Sequence, residues 1–266
     1  MSNVLILQEA FAISNIDDKR GAVMLQNTAA LKCTYSLLAP ATFKAKIIEN
    51  NLTGLVLLMD GFETHFRLIG KFNAYNLLAV FGVAINLGQD KVNVLSHLSN
   101  LLGAKGRFET YLSAKDRVLA IVDYAHTPDA LLNVLTTIQQ LKVDDQHVIT
   151  VVGCGGNRDA DKRPLMAEVA VKYSNQVILT SDNPRFENPS TILDQMEEGI
   201  SVSKKKFMLR IEDRAAAIQT ACLLAKPNDI ILIAGKGHET YQEINGIKHP
   251  FDDAQMIVDF FKTLEK

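Results

Sequence analysis

The stretch VLAIVDYAHTPDALLNVLTTIQQLKVDDQHVITVVG (118–153) contains an apolar run, a helical pattern and a second apolar run, and this order decides the fold. Both outer runs are almost continuously apolar, as expected of strands covered on both faces. Between them, apolar residues recur at helical spacing from Leu131 to Leu141. Thr127 is placed to cap that helix, and Pro128 suits a first helical position, where a missing N–H costs nothing. The unit repeats along the chain. RPLMAEVAVKY (163–173) follows the second run, then QVILTSD (176–182), PSTILDQMEEGI (189–200), FMLRI (207–211), DRAAAIQTACLLA (213–225), DIILIAG (229–235) and DDAQMIVDFFKTL (252–264). The alternation predicts an α/β fold with a doubly wound, mostly parallel sheet. Pro164 and Pro189 are expected at first helical positions like Pro128, with Asn188 as a second N-cap.

The first hundred residues have a different texture. FAIS (11–14), KCTYSLL (32–38), FKAKIIE (43–49), GLVLLM (54–59) and THFRLIG (64–70) are short and divided by Asn, Asp, Gly and Pro, which predicts a mostly antiparallel sheet. Asn76, Leu77, Leu78, Val80, Phe81, Ala84 and Ile85, then Val92, Leu95, Leu98 and Leu102, predict two helices. The division is placed between residues 107 and 108, with a linker over Gly106 to Ser113.

The 266 residues are 47% hydrophobic with a formal net charge of −2, enough for a real core and without any Lys/Arg block suited to nucleic acid. No run approaches the roughly 20 apolar residues a membrane span requires. The start, MSNVLILQEAF, lacks a basic n-region and a small-residue cleavage site, so the cytoplasm is the expected location. Cys33, Cys154 and Cys222 are odd in number, with no CxxC or Cys/His pattern at metal-ligand spacing. Reduced structural thiols are expected, and no residue is named as a metal ligand.

In open α/β sheets, ligands gather beyond the carboxyl ends of the strands. Here those ends carry Asp123-Tyr124-Ala125-His126, Gly153-Cys154-Gly155-Gly156-Asn157-Arg158-Asp159, Asp182-Asn183-Pro184-Arg185 and Gly235-Lys236-Gly237-His238-Glu239. The glycines match neither GxGxxG nor GxxxxGK[ST], so they serve either turn geometry or the close approach of backbone to a polar ligand. His126 and His238 suit acid/base or positioning roles, and Lys236 either neutralises a phosphate or is solvated. In SDNPR (181–185) a guanidinium matches a carboxylate, while an aspartate and an amide oxygen accept from an ammonium. That set suits a zwitterionic, amino-acid-like ligand. The bland alternative is an internal Asp182–Arg185 pair closing the turn around Pro184.

DYAHTPDAL (123–131), GCGGNRDADKRPLM (153–166), DNPRFENP (182–189) and AGKGHETYQ (234–242), with FNAYN (72–76) and GRFE (106–109) upstream, together resemble the Mur ligases, ATP-dependent amide ligases of peptidoglycan precursor synthesis. The similarity covers all but roughly the first ten residues, and it is to the diaminopimelate-adding members. The resemblance implies that residues 1–107 are the remainder of a central ATPase domain and 108–266 a Rossmann-like amino-acid-binding domain. It implies diaminopimelate contacts at Arg158, Asp182, Asn183, Pro184, Arg185, Gly235 and Glu239, with Arg185 on the distal carboxylate. It also implies nucleotide contacts at Asn73, Asn76, Arg107, Asp123, Tyr124 and His126.

The implied reaction adds meso-diaminopimelate to UDP-N-acetylmuramoyl-L-alanyl-D-glutamate (UDP-MurNAc-dipeptide) through an acyl phosphate, with ATP and Mg²⁺. A lysine-adding ligase and a non-catalytic amino-acid- or nucleotide-binding module are the alternatives. The family's phosphate loop, magnesium ligands and carbamylated lysine are not found in this chain, nor is its sugar-binding domain. A partial copy, inactive alone, is therefore expected, and a separately encoded N-terminal part is one partner that would complete it. No nucleic-acid or membrane partner is expected.

Overall fold

The computed structural model describes residues 10–143 and 145–264. The opening segment MSNVLILQEAF lies mostly outside the described residues. The chain forms two compact units, 1–102 and 103–266.

In the first unit, β1 (Phe11–Asn15), the short helix α1 (Gly21–Met24), β2 (Leu31–Ser36), β3 (Phe43–Asn51), β4 (Gly54–Met59) and β5 (Phe62–Phe66) precede α2 (Lys71–Asn86) and α3 (Lys91–Ser99). The sheet order is β1-β2-β3-β4-β5. The expectation of a mostly antiparallel sheet holds only for β3-β4-β5, because β1, β2 and β3 run parallel. Asp17 supplies a cause from elsewhere in the chain. Its carboxylate accepts from the Ser36 hydroxyl (2.6 Å), the Leu37 and Leu38 N–H groups (2.7 and 3.2 Å) and the Tyr75 hydroxyl (3.0 Å). These bonds turn the chain leaving β2 so that it re-enters beside that strand. Alternate residues Leu55, Leu57 and Met59 of β4 are buried with Leu77, Leu78 and Phe81 of α2 and Leu95 and Leu98 of α3.

The second unit contains β6 (Glu109–Leu112), β7 (Leu119–Asp123), α4 (Pro128–Leu141), β8 (Val148–Val152), α5 (Lys162–Tyr173), β9 (Gln176–Leu179), α6 (Pro189–Glu197), β10 (Met208–Arg210), α7 (Arg214–Leu224), β11 (Ile230–Ala234), β12 (Tyr241–Ile244), β13 (Ile247–Pro250) and α8 (Asp253–Thr263). Its main sheet has the order β10-β9-β8-β11-β7-β6, parallel except for the edge strand β6. Every residue of β7, β8 and β11 is buried, which explains their unbroken apolar sequences. Val118, Ala120, Ile149, Val151, Ile231 and Ile233 share a core with α7 and α8. The chain steps outward from β8 to β9 and β10, then returns to place β11 between β8 and β7. The adjacent ends of β8 and β11 therefore form the topological switch point, where such sheets bind ligands.

Thr127 and Asn188 cap α4 and α6 as expected, accepting from the Ala130 N–H (3.3 Å) and the Ser190 N–H (2.9 Å). Pro164 is the third residue of α5 rather than the first, still within the turn whose N–H groups lack helical partners. The expected linker is partly built structure, because Glu109–Leu112 pairs with β7 and Phe108 N–H donates to Asp123 Oδ2 (2.7 Å). The units accordingly divide between Leu102 and Gly103, not 107 and 108. The β12–β13 hairpin was not anticipated. Its turn is Asn245-Gly246 with φ of 50° and 77°, the conformation that favours this dipeptide in two-residue hairpins. No helix among the described residues is long and apolar enough to cross a membrane.

Candidate functional site

Beyond β9 the chain from Thr180 to Pro184 stays buried, so the SDNPR turn is part of the core edge rather than a solvated loop. The Asn183 amide oxygen is fully engaged. Its Nδ2 donates to Glu239 Oε2 (2.8 Å), and its Oδ1 accepts from Lys236 Nζ (3.1 Å) and from the Glu243 N–H (2.9 Å). The expectation that this oxygen would accept from a ligand ammonium fails, because both lone pairs are used. Carboxylate acceptors remain on Asp182 and Glu239. Gly235 has φ of 121°, and a Cβ there would lie 2.7 Å from Asp182 Oδ2, so only glycine brings the β11 loop so close to that carboxylate.

Asp182 and Arg185 are not each other's partners. Arg185 Nη1 donates to the Gly156 carbonyl (2.8 Å), and its Nε lies 3.4 Å from Glu243 Oε2. The hairpin holds this turn by backbone: Arg185 N–H donates to the Glu243 carbonyl (3.0 Å) and Asn245 N–H to the Arg185 carbonyl (2.6 Å). Arg185 sits at φ of 54°, a left-handed conformation that a non-glycine residue adopts only when its surroundings enforce it. Arg158, in the neighbouring glycine loop, is exposed.

Among the described residues of the second unit, four charged side chains, Arg163, Arg214, Lys236 and Asp253, are wholly buried, a position the sequence alone does not indicate for any of them. Lys236, expected either to neutralise a phosphate or to be solvated, has no exposed side-chain surface. Its ammonium donates to Asn183 Oδ1, to Glu239 Oε2 (3.4 Å) and to the Tyr241 carbonyl. Burial pulls its pKa below the usual lysine value against the fields of Asp182 and Glu239. Arg214 and Asp253 form a two-pronged pair, Nε to Oδ1 and Nη2 to Oδ2 both at 2.7 Å, with neither side chain exposed. Arg214 also donates to the carbonyls of Ser181 (3.4 Å) and Ala234 (3.2 Å), and so ties together the ends of β9 and β11. Arg163 joins the Gly155 carbonyl (3.3 Å) to Glu187 (2.9 Å). Cys154, within the same loop, is buried, and burial pushes its thiol up to about 12, which rules out a thiolate nucleophile at neutral pH.

A second group of side chains lies at the end of β7. The Arg107 guanidinium lies 4.7 Å from the centre of the Tyr124 ring, which packs against His126 (4.6 Å) and His238 (5.2 Å). His126 Nδ1 donates to the Tyr124 carbonyl (2.9 Å), leaving Nε2 as the acceptor of the neutral ring. Asp123 is turned inward onto the Phe108 N–H. Burial raises its pKa, although bonds from Phe108 and Ala125 and the charge of Arg107 oppose the rise. The structure thus brings together Arg107, Tyr124 and His126 and adds His238. Asn73 and Asn76 belong to the first unit, in the first turns of α2, where Asn76 Nδ2 donates to Asn73 Oδ1 (3.1 Å) and Asn73 Nδ2 to the Ile69 carbonyl (2.8 Å).

Residues 106–237 match the family model described as the Mur ligase glutamate ligase domain, and residues 5–84 match the Mur ligase middle domain. A protein of Cytophaga hutchinsonii named UDP-N-acetylmuramoyl-L-alanyl-D-glutamate--2,6-diaminopimelate ligase is 57% identical over 258 residues, covering 97% of this chain and 53% of the relative. A protein of the same name from Parabacteroides distasonis is 54% identical, over 95% of this chain and 52% of its own length. Among solved structures, one titled as that ligase superposes with a TM-score of 0.68 at 38% identity, covering 96% of this chain and 54% of that one. A MurF structure from Acinetobacter baumannii, at 15% identity and a TM-score of 0.71, shares the fold. The chain spans about half the length of the curated relatives it matches. With both domain models and these relatives in agreement, the chain belongs to the Mur ligase family.

Proposed function

We propose that this chain carries the amino-acid half of an ATP-dependent amide ligase that adds meso-2,6-diaminopimelate to UDP-N-acetylmuramoyl-L-alanyl-D-glutamate. In this reading, the first unit, 1–102, is the remainder of the middle, nucleotide-binding domain and the second, 103–266, the amino-acid-binding domain. The observation that carries it is the pairing of open carboxylate acceptors on Asp182 and Glu239 with the Arg185 guanidinium at the switch point of the sheet. Arg185 takes a ligand carboxylate, with three of its five N–H groups uncommitted after Gly156 and Glu243 are served. Asp182 and Glu239 take an ammonium. Asn183 orients Glu239, Pro184 and Gly235 shape the turn and its approach, and the exposed Arg158 adds a cation at the rim.

Interactions with the far end of the amino acid would be spent on placing its reacting amine at the acyl carbon. Such remote binding energy raises the rate by orientation rather than by new chemistry. The exposed Arg107 stacked on Tyr124, with His126 and His238 beside it, fits a nucleotide, offering a cation to phosphate and aromatic faces to a base. Asp123 holds the Arg107-bearing loop through Phe108. Asn73 and Asn76 are taken as nucleotide contacts within the first unit by itself. ATP supplies the phosphoryl group that activates the acceptor carboxylate. Mg²⁺ accompanies ATP in this reading, and none of the residues named above is proposed as its ligand.

Ligand-observed NMR titration with meso-diaminopimelate and with L-lysine tests the assignment. Diaminopimelate is expected to bind more tightly than lysine, and Arg185→Ala to lose most of that affinity with an unchanged circular dichroism melt. Equal binding of the two amino acids, or undiminished binding by Arg185→Ala, overturns it.

A further inference from the structure

A lysine with no exposed surface, set between Gly235 and Gly237 at the mouth of the candidate site, requires an explanation that phosphate neutralisation does not supply. Its three acceptors come from three segments: Asn183 from the turn after β9, Glu239 from the loop after β11, and the Tyr241 carbonyl from the hairpin. Burying an ammonium is costly unless it is paired and fully bonded. Three acceptors match its three donors, so none is left for a ligand. What the ammonium does is settle its neighbours. An amide side chain can sit either way round, and the Lys236 ammonium at 3.1 Å from Oδ1, together with the Glu243 N–H at 2.9 Å, permits only the orientation that aims Asn183 Nδ2 at Glu239. Glu239 Oε2 then receives two donors, Asn183 Nδ2 at 2.8 Å and Lys236 Nζ at 3.4 Å, while the Glu239 side chain keeps 18% of its surface exposed.

We propose that Lys236 is a positioning residue for ammonium recognition: by fixing the Asn183 amide and Glu239 Oε2, it presents Glu239 Oε1 as the acceptor for the ligand's ammonium. The inference rests on the amino-acid-site reading above and makes a narrower claim within it. Lys236 governs how the site reads the ammonium, not how Arg185 reads the carboxylate.

The test compares two ligands on the same protein. meso-Diaminopimelate carries a carboxylate and an ammonium at its far end, whereas 2-aminopimelate keeps the carboxylate and lacks that ammonium. In Lys236→Met the preference for diaminopimelate over 2-aminopimelate is expected to fall about tenfold or more, the scale of a lost charge-assisted hydrogen bond. General loosening of the loop would weaken both ligands alike and leave the ratio unchanged, which overturns the proposal. A measurement on the unaltered chain covers the case in which Lys236→Met does not fold. The Lys236 ammonium and Asn183 side-chain amide resonances, followed by NMR, are expected to shift with diaminopimelate and stay still with 2-aminopimelate. Identical shifts with both ligands refute it. Absence of diaminopimelate binding by the parent chain would instead sink the underlying site assignment, and the proposal with it.

Discussion

Replacing Arg214 by methionine is the most demanding test of how the strand ends are held. Arg214 and Asp253 expose none of their side chains and share two bonds of 2.7 Å, so the substitution leaves a carboxylate in the interior without its cation. Breaking one partner of a buried pair costs about 3–5 kcal/mol. The carbonyls of Ser181 and Ala234 lose a donor in the same step. For a unit of this size each kcal/mol moves the midpoint by about 2–4 °C, so a fall of roughly 6–20 °C is expected in the melting of residues 103–266. Urea titration followed by circular dichroism gives the free energy, with an unchanged m-value showing that the same surface unfolds. The double variant Arg214→Met, Asp253→Leu removes both charges and should recover most of the loss, since apolar replacements of such pairs are often neutral. A single-variant loss below about 1 kcal/mol, or a double variant no more stable than the single, would refute the reasoning.

Asp17 gives a pH test in the first unit. Burial pushes its pKa up, but bonds from Ser36, the Leu37 N–H, Tyr75 and the Leu38 N–H outweigh that and leave it lowered. A carboxylate with a depressed folded pKa stabilises above its unfolded pKa, about 3.9, and loses that contribution as pH falls through the folded value. Asp17→Asn should therefore be less stable at pH 7 and converge with the parent in acid, and parallel pH profiles of the urea midpoint would contradict this. Cys33, Cys154 and Cys222 are all buried, so a thiol reagent at pH 8 should label none of them quickly in the native chain and all three once urea unfolds it. Rapid native labelling of Cys154 would contradict a thiol raised to about 12. Gly235→Ala should cost about 1–3 kcal/mol from its φ of 121° and displace Asp182. Undiminished diaminopimelate binding in that variant would detach Asp182 from the site.

The parallel sheet of the second unit was legible because its three central strands are buried throughout, and burial on both faces leaves a continuous apolar run. The first sheet was misread where local rules and distant contacts disagree. Only six residues join β2 to β3, which favours a hairpin, yet Asp17, some twenty residues upstream, closes that loop and permits a parallel return. The β12–β13 hairpin had its signal in Asn245-Gly246 but lies beside a stretch read for ligand contacts. Buried charges were illegible for a different reason. Arg214 meets Asp253 39 residues later and Lys236 meets Asn183 53 residues earlier, and no local pattern distinguishes such a lysine or arginine from a solvated one.

Charge balance links these buried groups to the ligand the site can accept. Five carboxylates, Asp182, Glu187, Glu239, Glu243 and Asp253, and five cations, Arg158, Arg163, Arg185, Arg214 and Lys236, are the charged groups assigned to the candidate site and its supports. The pairs Arg214–Asp253 and Arg163–Glu187 are internal and brace the strand ends and the glycine loop. Lys236 offsets one carboxylate of the acceptor side, and Glu243 offsets part of the Arg185 charge. These groups are divided, with an acidic side at Asp182 and Glu239 and a basic side at Arg185 and Arg158. A ligand of single sign would leave one side desolvated and unpaired, which costs more than its favourable contacts return. A ligand bearing both charges satisfies each side and leaves the total unchanged. For the proposed site, charge alone therefore favours a zwitterionic ligand over a simple dicarboxylate or diamine.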